Sequence, residues 1–276
     1  MSTPAQTEPV YLFDRRQEER RLIAQSRLFD PLTERLFRAA GIRQGMRVLD
    51  LGAGVGDTSM LAARIVGPQG SVLGVDLSAE ALQAAHARAS VAGLDNVEFL
   101  QGDGLALDLG EREFDAVVGR LILMYLSDPA AVVRSATGHL RSGGLICFQE
   151  VDATFDACYP SSPLWAQARA WFLEAAARAR VELRMGLRLF ETFVAAGLPE
   201  PELCLEAAVG GGKDAPAFAW ADVLQGMVPL MERFGIATAR EVDAATLADR
   251  LLAEVTSRGG VVVAPLLVGA WSRTPI

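Results

Sequence analysis

The sequence predicts an α/β fold in which helices cover both faces of a doubly wound, mostly parallel sheet of seven strands. Short apolar runs that end in glycine or an acidic residue alternate with longer segments of helical period, and together they form five strand–helix units before residue 151. The length of 276 residues, with 51% hydrophobic side chains, is also enough for one large domain with an extensive core.

The first five strands are short and apolar, and helix signals separate them. Ser78 is the expected N-cap of the helix after the second strand, and Asp128 followed by Pro129 is expected to begin the helix after the fourth. The predicted strands are Met46–Leu51, Ser71–Asp76, Val97–Gln101, Phe114–Gly119 and Leu145–Glu150.

The C-terminal part of the chain departs from this alternation. Two more apolar runs, Glu202–Val209 and Val261–Trp271, are predicted as the last two strands, and about fifty residues separate them. Because this interval is too long for a hairpin loop, we interpret it as a helical insertion. The expected parts are an N-terminal helical lid over residues 1–44 and a main domain over 45–276, with helical additions at about 153–193 and 210–258.

Charge and cysteine usage exclude several classes of protein. The formal net charge is −8 and the pI is near 4.9, which argues against a nucleic-acid binder because such a protein needs a basic face. The cysteine and histidine spacings fit neither a metal site nor a disulfide framework. The N-terminus has no signal-peptide pattern, and no apolar run reaches about eighteen residues. We therefore expect a cytoplasmic protein that binds a small molecule, without metal, nucleic acid or membrane, and a homodimer is left open.

The strongest local signal is a glycine-rich turn directly after the first strand. Residues 48–57 read Val-Leu-Asp-Leu-Gly-Ala-Gly-Val-Gly-Asp. Glycine allows a tight turn and a close approach of a ligand to the backbone, and the helix that follows offers unpaired N–H groups. A dinucleotide-binding fingerprint would place its third glycine one position later, so this turn predicts a different nucleotide-like cofactor.

Acidic residues end the second strand and follow the third. Asp76 lies about twenty residues beyond the last glycine of the turn, where a carboxylate can accept hydrogen bonds from both ribose hydroxyls. Asp103, between two glycines after the third strand, is placed to accept a hydrogen bond from an exocyclic amine such as that of adenine. Three signals at successive strand ends predict a cofactor that contains a nucleoside.

At these residues the sequence resembles the class I S-adenosylmethionine-dependent methyltransferases, over about Gly45 to Asp152. The resemblance includes Phe114–Asp115 in the fourth strand and the Leu140–Gly144 turn before the fifth. Within that superfamily the chain resembles the small-molecule group related to the ubiquinone and menaquinone biosynthesis methyltransferases. The resemblance implies the Rossmann-like methyltransferase fold, with an antiparallel last strand, and S-adenosylmethionine as cofactor. The long insertion between the last two strands departs from the family pattern.

The resemblance also implies roles for individual residues. The glycine turn would wrap the amino-acid part of the cofactor, while Asp76 would hold the ribose and Asp103 the adenine amine. Arg120 would border the methionine end. The predicted cofactor-binding residues are Asp50, Gly52, Ala53, Gly54, Gly56, Asp76, Leu77, Asp103, Gly104 and Arg120.

Methyl transfer itself makes modest demands on the protein. A sulfonium leaving group needs no protonation, so positioning alone can supply much of the acceleration. A base, if one is used, must lie above the carboxyl ends of the strands. Glu150 and Asp152, at the end of the fifth strand, are predicted to orient the nucleophile or take its proton. The structural alternative is that Glu150 caps a helix or pairs with an arginine.

Several apolar and aromatic residues are candidates for the walls of the acceptor pocket, with ordinary core or dimer packing as the alternative. Met124 and Tyr125 follow the fourth strand, and Tyr11 and Gln25 belong to the N-terminal segment. The candidates in the two additions are Trp165, Trp171, Trp220, Met227 and Met231.

The predicted function is methyl transfer from S-adenosylmethionine to an O, N or C atom of a small, fairly apolar acceptor in bacterial metabolite biosynthesis. Two alternatives stay open. An NAD-dependent oxidoreductase would use Asp76 on the ribose, although the glycine spacing and the absence of a Tyr-x-x-x-Lys pair count against it, since Lys213 is the only lysine. A non-catalytic cofactor-binding protein would retain the same pocket.

Overall fold

The computed structural model describes residues 9–13, 18–104, 109, 112–155, 157–214 and 218–275. The strands of this part of the chain are β1 (Arg47–Leu51), β2 (Ser71–Asp76), β3 (Val97–Gln101), β4 (Phe114–Arg120), β5 (Leu140–Asp152), β6 (Ala157–Tyr159), β7 (Glu202–Glu206), β8 (Val209–Gly211), β9 (Val261–Val263) and β10 (Leu266–Arg273). The helices are α1 (Glu18–Ala40), α2 (Asp57–Val66), α3 (Ala79–Val91), α4 (Pro129–Thr137), α5 (Pro163–Ala179), α6 (Met185–Ala195), α7 (Phe218–Phe234), α8 (Ala239–Val242) and α9 (Ala244–Ser257).

Seven strands form the main sheet, in the order β3-β2-β1-β4-β5-β10-β7. Strands β1 to β5 are parallel, and β10 runs antiparallel to both of its neighbours, β5 and β7. The predicted fold class, a mostly parallel doubly wound sheet of seven strands, is confirmed. Strands β6, β9 and β8 form a second, antiparallel sheet. Among the described residues, no helix is both long enough and apolar enough to cross a lipid bilayer.

The helix starts predicted near the sheet are also observed. The Ser78 side chain accepts a hydrogen bond from the Ala81 N–H at 3.2 Å, and the Asp128 carboxylate accepts one from the Ala131 N–H at 2.9 Å. These side chains satisfy backbone donors that a first helical turn leaves unpaired. They fix where α3 and α4 leave the sheet.

The two predicted C-terminal strands are each divided between the two sheets, which corrects the sequence interpretation. The run Val261–Trp271 breaks at Ala264–Pro265, so that β9 belongs to the small sheet and β10 to the main one. Proline cannot donate a ladder hydrogen bond, which makes it a natural point of division. The run Glu202–Val209 likewise ends in the main sheet at Glu206 and resumes in the small sheet at Val209. Strand β5 also begins five residues earlier than predicted, at Leu140 rather than Leu145.

Helix α1 has two parts with different surroundings, and Pro31 lies between them. Proline has no N–H to donate to the preceding helical turn. Beyond it, Leu36 and Phe37 are buried in the core that α1 forms with α2 and the sheet. Leu36 packs so closely on Gly269 of β10 that a Cβ added there would lie 2.4 Å from Leu36 Cδ1, so this contact requires glycine.

A buried carboxyl group connects β5 to the segment that follows β4. Glu150 is fully buried, and its Oε1 accepts hydrogen bonds from the backbone N–H groups of Ile122 at 2.9 Å and Leu123 at 2.7 Å. Its Oε2 has no hydrogen-bond partner among the described residues. Burial raises the pKa of Glu150 to about 8, although the backbone N–H donors oppose the rise.

We expect Glu150→Gln to flatten the pH dependence of stability. Between its ordinary pKa of 4.5 and about 8, Glu150 keeps a proton in the folded state that the unfolded state has lost. The free energy of unfolding of the wild type therefore falls as pH rises through this range, while glutamine has no proton to lose. Urea unfolding should be measured at pH 5.5, 7.0 and 8.5. From the lowest to the highest pH, the free energy of unfolding of the variant should rise by at least about 1 kcal/mol relative to that of the wild type.

The matched control is Glu200→Gln, because Glu200 is exposed. This variant should follow the wild-type pH dependence. A Glu150→Gln protein whose stability changes with pH as steeply as that of the wild type would contradict the assignment of a buried, protonated carboxyl group.

Candidate functional site

A cavity of about 510 Å³ lies at the carboxyl ends of the parallel strands. Ligands bind at this edge in doubly wound sheets because the strand order reverses there and leaves a crevice. The cavity wall includes the glycine turn, the ends of β2 and β4, and the segments that follow β3 and β5. Residues 9–13, the first part of α1, α5 and α7 complete it.

The glycine turn connects β1 to α2 in a backbone conformation that favours glycine. The φ angles of Gly52, Gly54 and Gly56 are 72°, 52° and 86°. A Cβ at Gly56 would lie 3.0 Å from both Ala85 and Phe99, so this glycine is needed for packing against α3 and β3. A Cβ at Gly54 would meet only Leu22, at 3.7 Å, so the space above Gly54 is open to a ligand.

Asp76 holds the turn in place. Its Oδ2 accepts a hydrogen bond from the Gly54 N–H, and its Oδ1 accepts one from the Ser78 N–H, both at 2.8 Å. The carboxylate also lines the cavity. Because each carboxylate oxygen can accept more than one hydrogen bond, Asp76 can hold the backbone and still accept from a ribose hydroxyl.

Asp50 is buried beneath the turn and is not part of the cavity wall. Its Oδ2 accepts a hydrogen bond from the Ser59 hydroxyl at 2.5 Å, and its Oδ1 has no partner in the described part of the chain. Burial raises the pKa of Asp50 to about 7, and the hydrogen bond from Ser59 opposes the rise. The geometry gives Asp50 a part in anchoring α2 against β1.

The ten predicted cofactor residues fall into two groups. Those that line the cavity are Gly52, Ala53, Gly54, Asp76, Leu77, Asp103, Gly104 and Arg120. Asp50 and Gly56 support the turn from below, away from the cavity. The cavity therefore brings together predicted residues from the ends of four strands, β1 to β4, and their contacts with a cofactor stay a prediction.

Arg120 joins the end of β4 to helix α1. Its Nη1 donates hydrogen bonds to Asp30 Oδ1 and Thr33 Oγ1, both at 2.9 Å. Thr33 in turn donates to Gln149 Oε1 at 2.6 Å. Burial raises the pKa of Asp30, although the neighbouring Arg120 guanidinium opposes the rise. Arg120 also lines the cavity, so its guanidinium provides a cationic group in the part of the site next to α1.

The structure places Glu150 and Asp152 outside the cavity wall. Alternate residues of a strand point to opposite faces, and here Val151 and Ala153 line the cavity. Asp152 accepts hydrogen bonds from the Thr154 N–H at 2.8 Å and the Thr154 hydroxyl at 2.6 Å. Glu150 and Asp152 thus both accept hydrogen bonds from backbone N–H groups, which fixes the segments after β4 and β5. Their predicted catalytic role is not tested by any of these contacts and stays a prediction.

The part of the cavity beyond the glycine turn is mostly apolar. Met124, Tyr125, Tyr11 and Gln25 line it. Sequence reasoning missed other wall residues, which come from distant elements: Phe13, Phe172, Asp222, Val223 and Pro265. No residue spacing in the sequence signals them, because they meet only through the tertiary packing of segments that are far apart in the chain.

The residues of the two additions that the sequence offered as wall candidates do not line the cavity where their side chains are described. Trp165, Met227 and Met231 are buried in the core, and neither they nor Trp171 line the cavity. The side chain of Trp220 lies outside the described part of the structure. Among the described residues of the two additions, Phe172 and Val223 line the cavity instead.

The site suits a nucleoside cofactor with a charged amino-acid tail. The open space above Gly54 admits a group close to the backbone, Asp76 faces the same cavity, and Arg120 offers a cation for a carboxylate. Carboxylates are acceptors for the hydroxyl groups of a ribose, and guanidinium groups bind carboxylates strongly. These residues fit S-adenosylmethionine.

Sequence comparison finds relatives among bacterial methyltransferases. The chain is 38% identical over 122 residues to an arsenite methyltransferase from Aquipseudomonas alcaligenes, a match that covers 42% of this chain and 35% of the relative. It is 31% identical over 126 residues to a demethylmenaquinone methyltransferase from Listeria monocytogenes, covering 46% of this chain and 51% of the relative. The chain thus matches about half or less of the length of these relatives.

Structure comparison supports the fold. The protein aligns with phosphoethanolamine N-methyltransferase 2 from Haemonchus contortus, solved with S-adenosylhomocysteine, with a TM-score of 0.53 and 17% identity over 87% of this chain and 51% of the other. A family model described as a methyltransferase domain matches residues 42–186, just over half of the chain. The family match confirms the predicted methyltransferase family. The chain belongs to the family described as the methyltransferase domain.

Proposed function

We propose that this protein transfers a methyl group from S-adenosylmethionine to an O, N or C atom of a small, fairly apolar acceptor in bacterial metabolite biosynthesis. One observation carries the proposal: a single cavity of about 510 Å³ joins the glycine turn and Asp76 to a mostly apolar space beyond them. The demethylmenaquinone methyltransferase relatives, by their names, act on a small organic molecule, which supports an acceptor of that class.

The chain's residues would act mainly by holding the two reactants in line. S-adenosylmethionine supplies an electrophilic methyl group on a sulfonium. The acceptor atom forms the new bond to the methyl carbon while the carbon–sulfur bond breaks and its electron pair stays on sulfur. Asp76 and Arg120 would fix the two ends of the cofactor, and the apolar wall would exclude water from the line of attack.

The parts of the chain that flank the sheet would complete the acceptor side. We propose that residues 1–44 act as a helical lid on the domain formed by residues 45–276, with the additions at about 153–193 and 210–258 as further walls. Tyr11 and Leu22 from the first part line the cavity, as do Phe172 and Val223 from the additions. Each flanking part therefore contributes wall residues to one cavity.

Arsenite is a poor fit as the acceptor. Trivalent arsenic is a soft centre that binds thiolates, and soft metal and metalloid centres generally select sulfur ligands. None of the cysteines lines the cavity: Cys147 is buried within β5, and Cys158 and Cys204 lie on β6 and β7. Burial also raises the pKa of the Cys147 thiol, which disfavours its thiolate. An organic acceptor fits the site better.

The net charge of −8 favours a small molecule over a nucleic acid as partner, because phosphates repel an acidic surface. We therefore propose that the protein has no nucleic-acid partner. A cytoplasmic location and a homodimer stay predictions.

We expect Asp76→Asn to weaken cofactor binding. The amide cannot match the charge-assisted hydrogen bonds of a carboxylate, so calorimetric affinity for S-adenosylhomocysteine should fall about tenfold or more. Asp95→Asn is the matched control, because Asp95 is an exposed aspartate close to β3.

NAD is titrated in parallel. Unchanged binding by Asp76→Asn would remove Asp76 from the cofactor site, and binding of NAD alone would overturn the proposed reaction.

We also expect no methylation of arsenite. The purified protein is incubated with S-adenosylmethionine, glutathione and arsenite, and methylated arsenic is measured by chromatography with elemental mass detection. Because no cysteine lines the cavity, the product should stay at the level of a no-enzyme blank. Enzyme-dependent methylarsenic would contradict the choice of an organic acceptor.

A further inference from the structure

Strand β7 forms one edge of the main sheet. In the described part of the chain it pairs only with β10, from Glu202 to Glu206. Its outer side therefore presents backbone N–H and C=O groups that no described strand pairs with, and such an edge is a template for a further strand. Glutamates lie on one face of β7, but Leu203 and Leu205 on the other face are 49% and 54% exposed.

These two leucines lie on the face of the sheet that α6 covers. A Cβ added to Gly186 of α6 would lie 3.0 Å from Val268 Cγ2, so the Val268 side chain points toward α6. Val268 is the register partner of Leu205. Paired residues of neighbouring strands share a face of the sheet, and so do residues two apart in one strand. Leu203 and Leu205 therefore belong to the α6 side.

Phe190 of α6 is level with the middle of β7. A Cβ at Gly186 would lie 3.0 Å from the Val151 backbone, and the Phe193 ring centroid is 6.3 Å from that of Phe148. Phe190 lies between these two points of α6, and hence close to the level of the strand residue between Val151 and Phe148. The sheet register carries this level across three strands, through Gln149, Gly269 and Cys204.

The exposed side of α6 continues the apolar face of β7. Leu187 and Val194 are exposed as well, and their spacing from Phe190 of three and four residues places all three side chains along one side of the helix. Crossovers between parallel strands are right-handed, which turns this side of α6 toward β7 and the solvent. We use the name edge surface for five residues: Leu187, Phe190, Val194, Leu203 and Leu205.

The edge surface is complementary to itself. A two-fold axis at Cys204 pairs β7 antiparallel with its own copy and places Leu203 of each chain opposite Leu205 of the other. Because Phe190 is level with Cys204, the same axis brings the two Phe190 side chains toward each other above the leucines. One arrangement thus covers both the open strand edge and the apolar residues.

The charges on the opposite face are complementary under the same axis. Glu202 of one chain comes opposite Glu206 of the other, and Arg35 prevents a simple repulsion between the two acids. Its Nε and Nη2 donate to Glu206 at 2.7 Å and 3.1 Å, and its side chain is 58% exposed. The third guanidinium nitrogen, Nη1, can therefore pair with Glu202 of the second copy.

We propose that the protein forms a homodimer in which β7 pairs antiparallel with β7 of a second copy, about a two-fold axis at Cys204, with the edge surfaces in contact. The pairing satisfies the open backbone groups of both edges and joins the two main sheets into one. Because the strands are antiparallel, the two strand-end cavities open at opposite edges of the joined sheet. The inference is therefore independent of the reaction.

Sedimentation equilibrium of the full chain tests the surface. The wild type should be a dimer at about 100 µM. Leu205→Lys and Phe190→Lys should each raise the dimer dissociation constant about tenfold or more, because each places a charge in an apolar interface. Val91→Lys is the matched control, since Val91 is 91% exposed on α3, which packs at the other end of the sheet. This variant should keep the wild-type dissociation constant, and circular dichroism should show all three variants folded.

Oxidative cross-linking tests the register. Directly opposite residues of an antiparallel pair have Cα atoms about 4.5–5.5 Å apart, a distance that a disulfide can span. Copper–phenanthroline should therefore give a covalent dimer on a non-reducing gel. Cys158→Ser should keep this product and Cys204→Ser should abolish it, while Cys147 is buried.

A wild type that is monomeric at about 100 µM would overturn the homodimer. A dimer that both lysine variants leave intact would overturn the edge surface as its interface. If the lysine variants dissociate the dimer but Cys204 does not cross-link, the antiparallel register about Cys204 is overturned. None of these outcomes depends on cofactor or acceptor binding, so the proposed function is tested separately.

Discussion

The site depends on the two backbone hydrogen bonds that Asp76 accepts. One comes from Gly54 in the turn after β1, and the other comes from Ser78 at the start of α3. A single carboxylate at the end of β2 thereby sets the relative positions of three segments that must surround one ligand. The positive φ angles of the turn are compatible with this arrangement because its first, third and fifth residues are glycines.

Buried acids add a second constraint. Asp50 and Glu150 each have one oxygen held by protein donors and one without a partner in the described residues. Both occupy positions directly behind the cavity wall, where they fix α2 and the segment after β4. Ionisation of such buried groups lowers the free energy of unfolding. Their hydrogen bonds, together with packing, hold the walls of the site in place.

The sequence predicts the features that depend on neighbouring residues, and it does not predict those that depend on packing between distant segments. The strands β1 to β4, the glycine turn and Asp76 could be predicted because a strand, a turn and a helix start depend on neighbouring residues. The two C-terminal strands could not be delimited, because the break at Pro265 separates strands of two different sheets. Asp222 and Phe172 were beyond reach because their place in the wall depends on how α5 and α7 pack against elements far away in the chain. The position of Glu150 was accessible in principle, since strand alternation sets it opposite to Val151.

Pro31 gives helix α1 two regions with separate demands on their sequence. Before it, Arg21, Leu22 and Gln25 line the cavity, and after it, Leu36 and Phe37 fill the core. Pro31 has no N–H to donate, so one backbone hydrogen bond between the two regions is absent. Substitutions at Leu22 and Gln25, which line the cavity and are only partly buried, would therefore change the ligand space more than the core. An ancestral protein of this architecture could acquire a new acceptor by altering one end of a helix whose other end remains fixed.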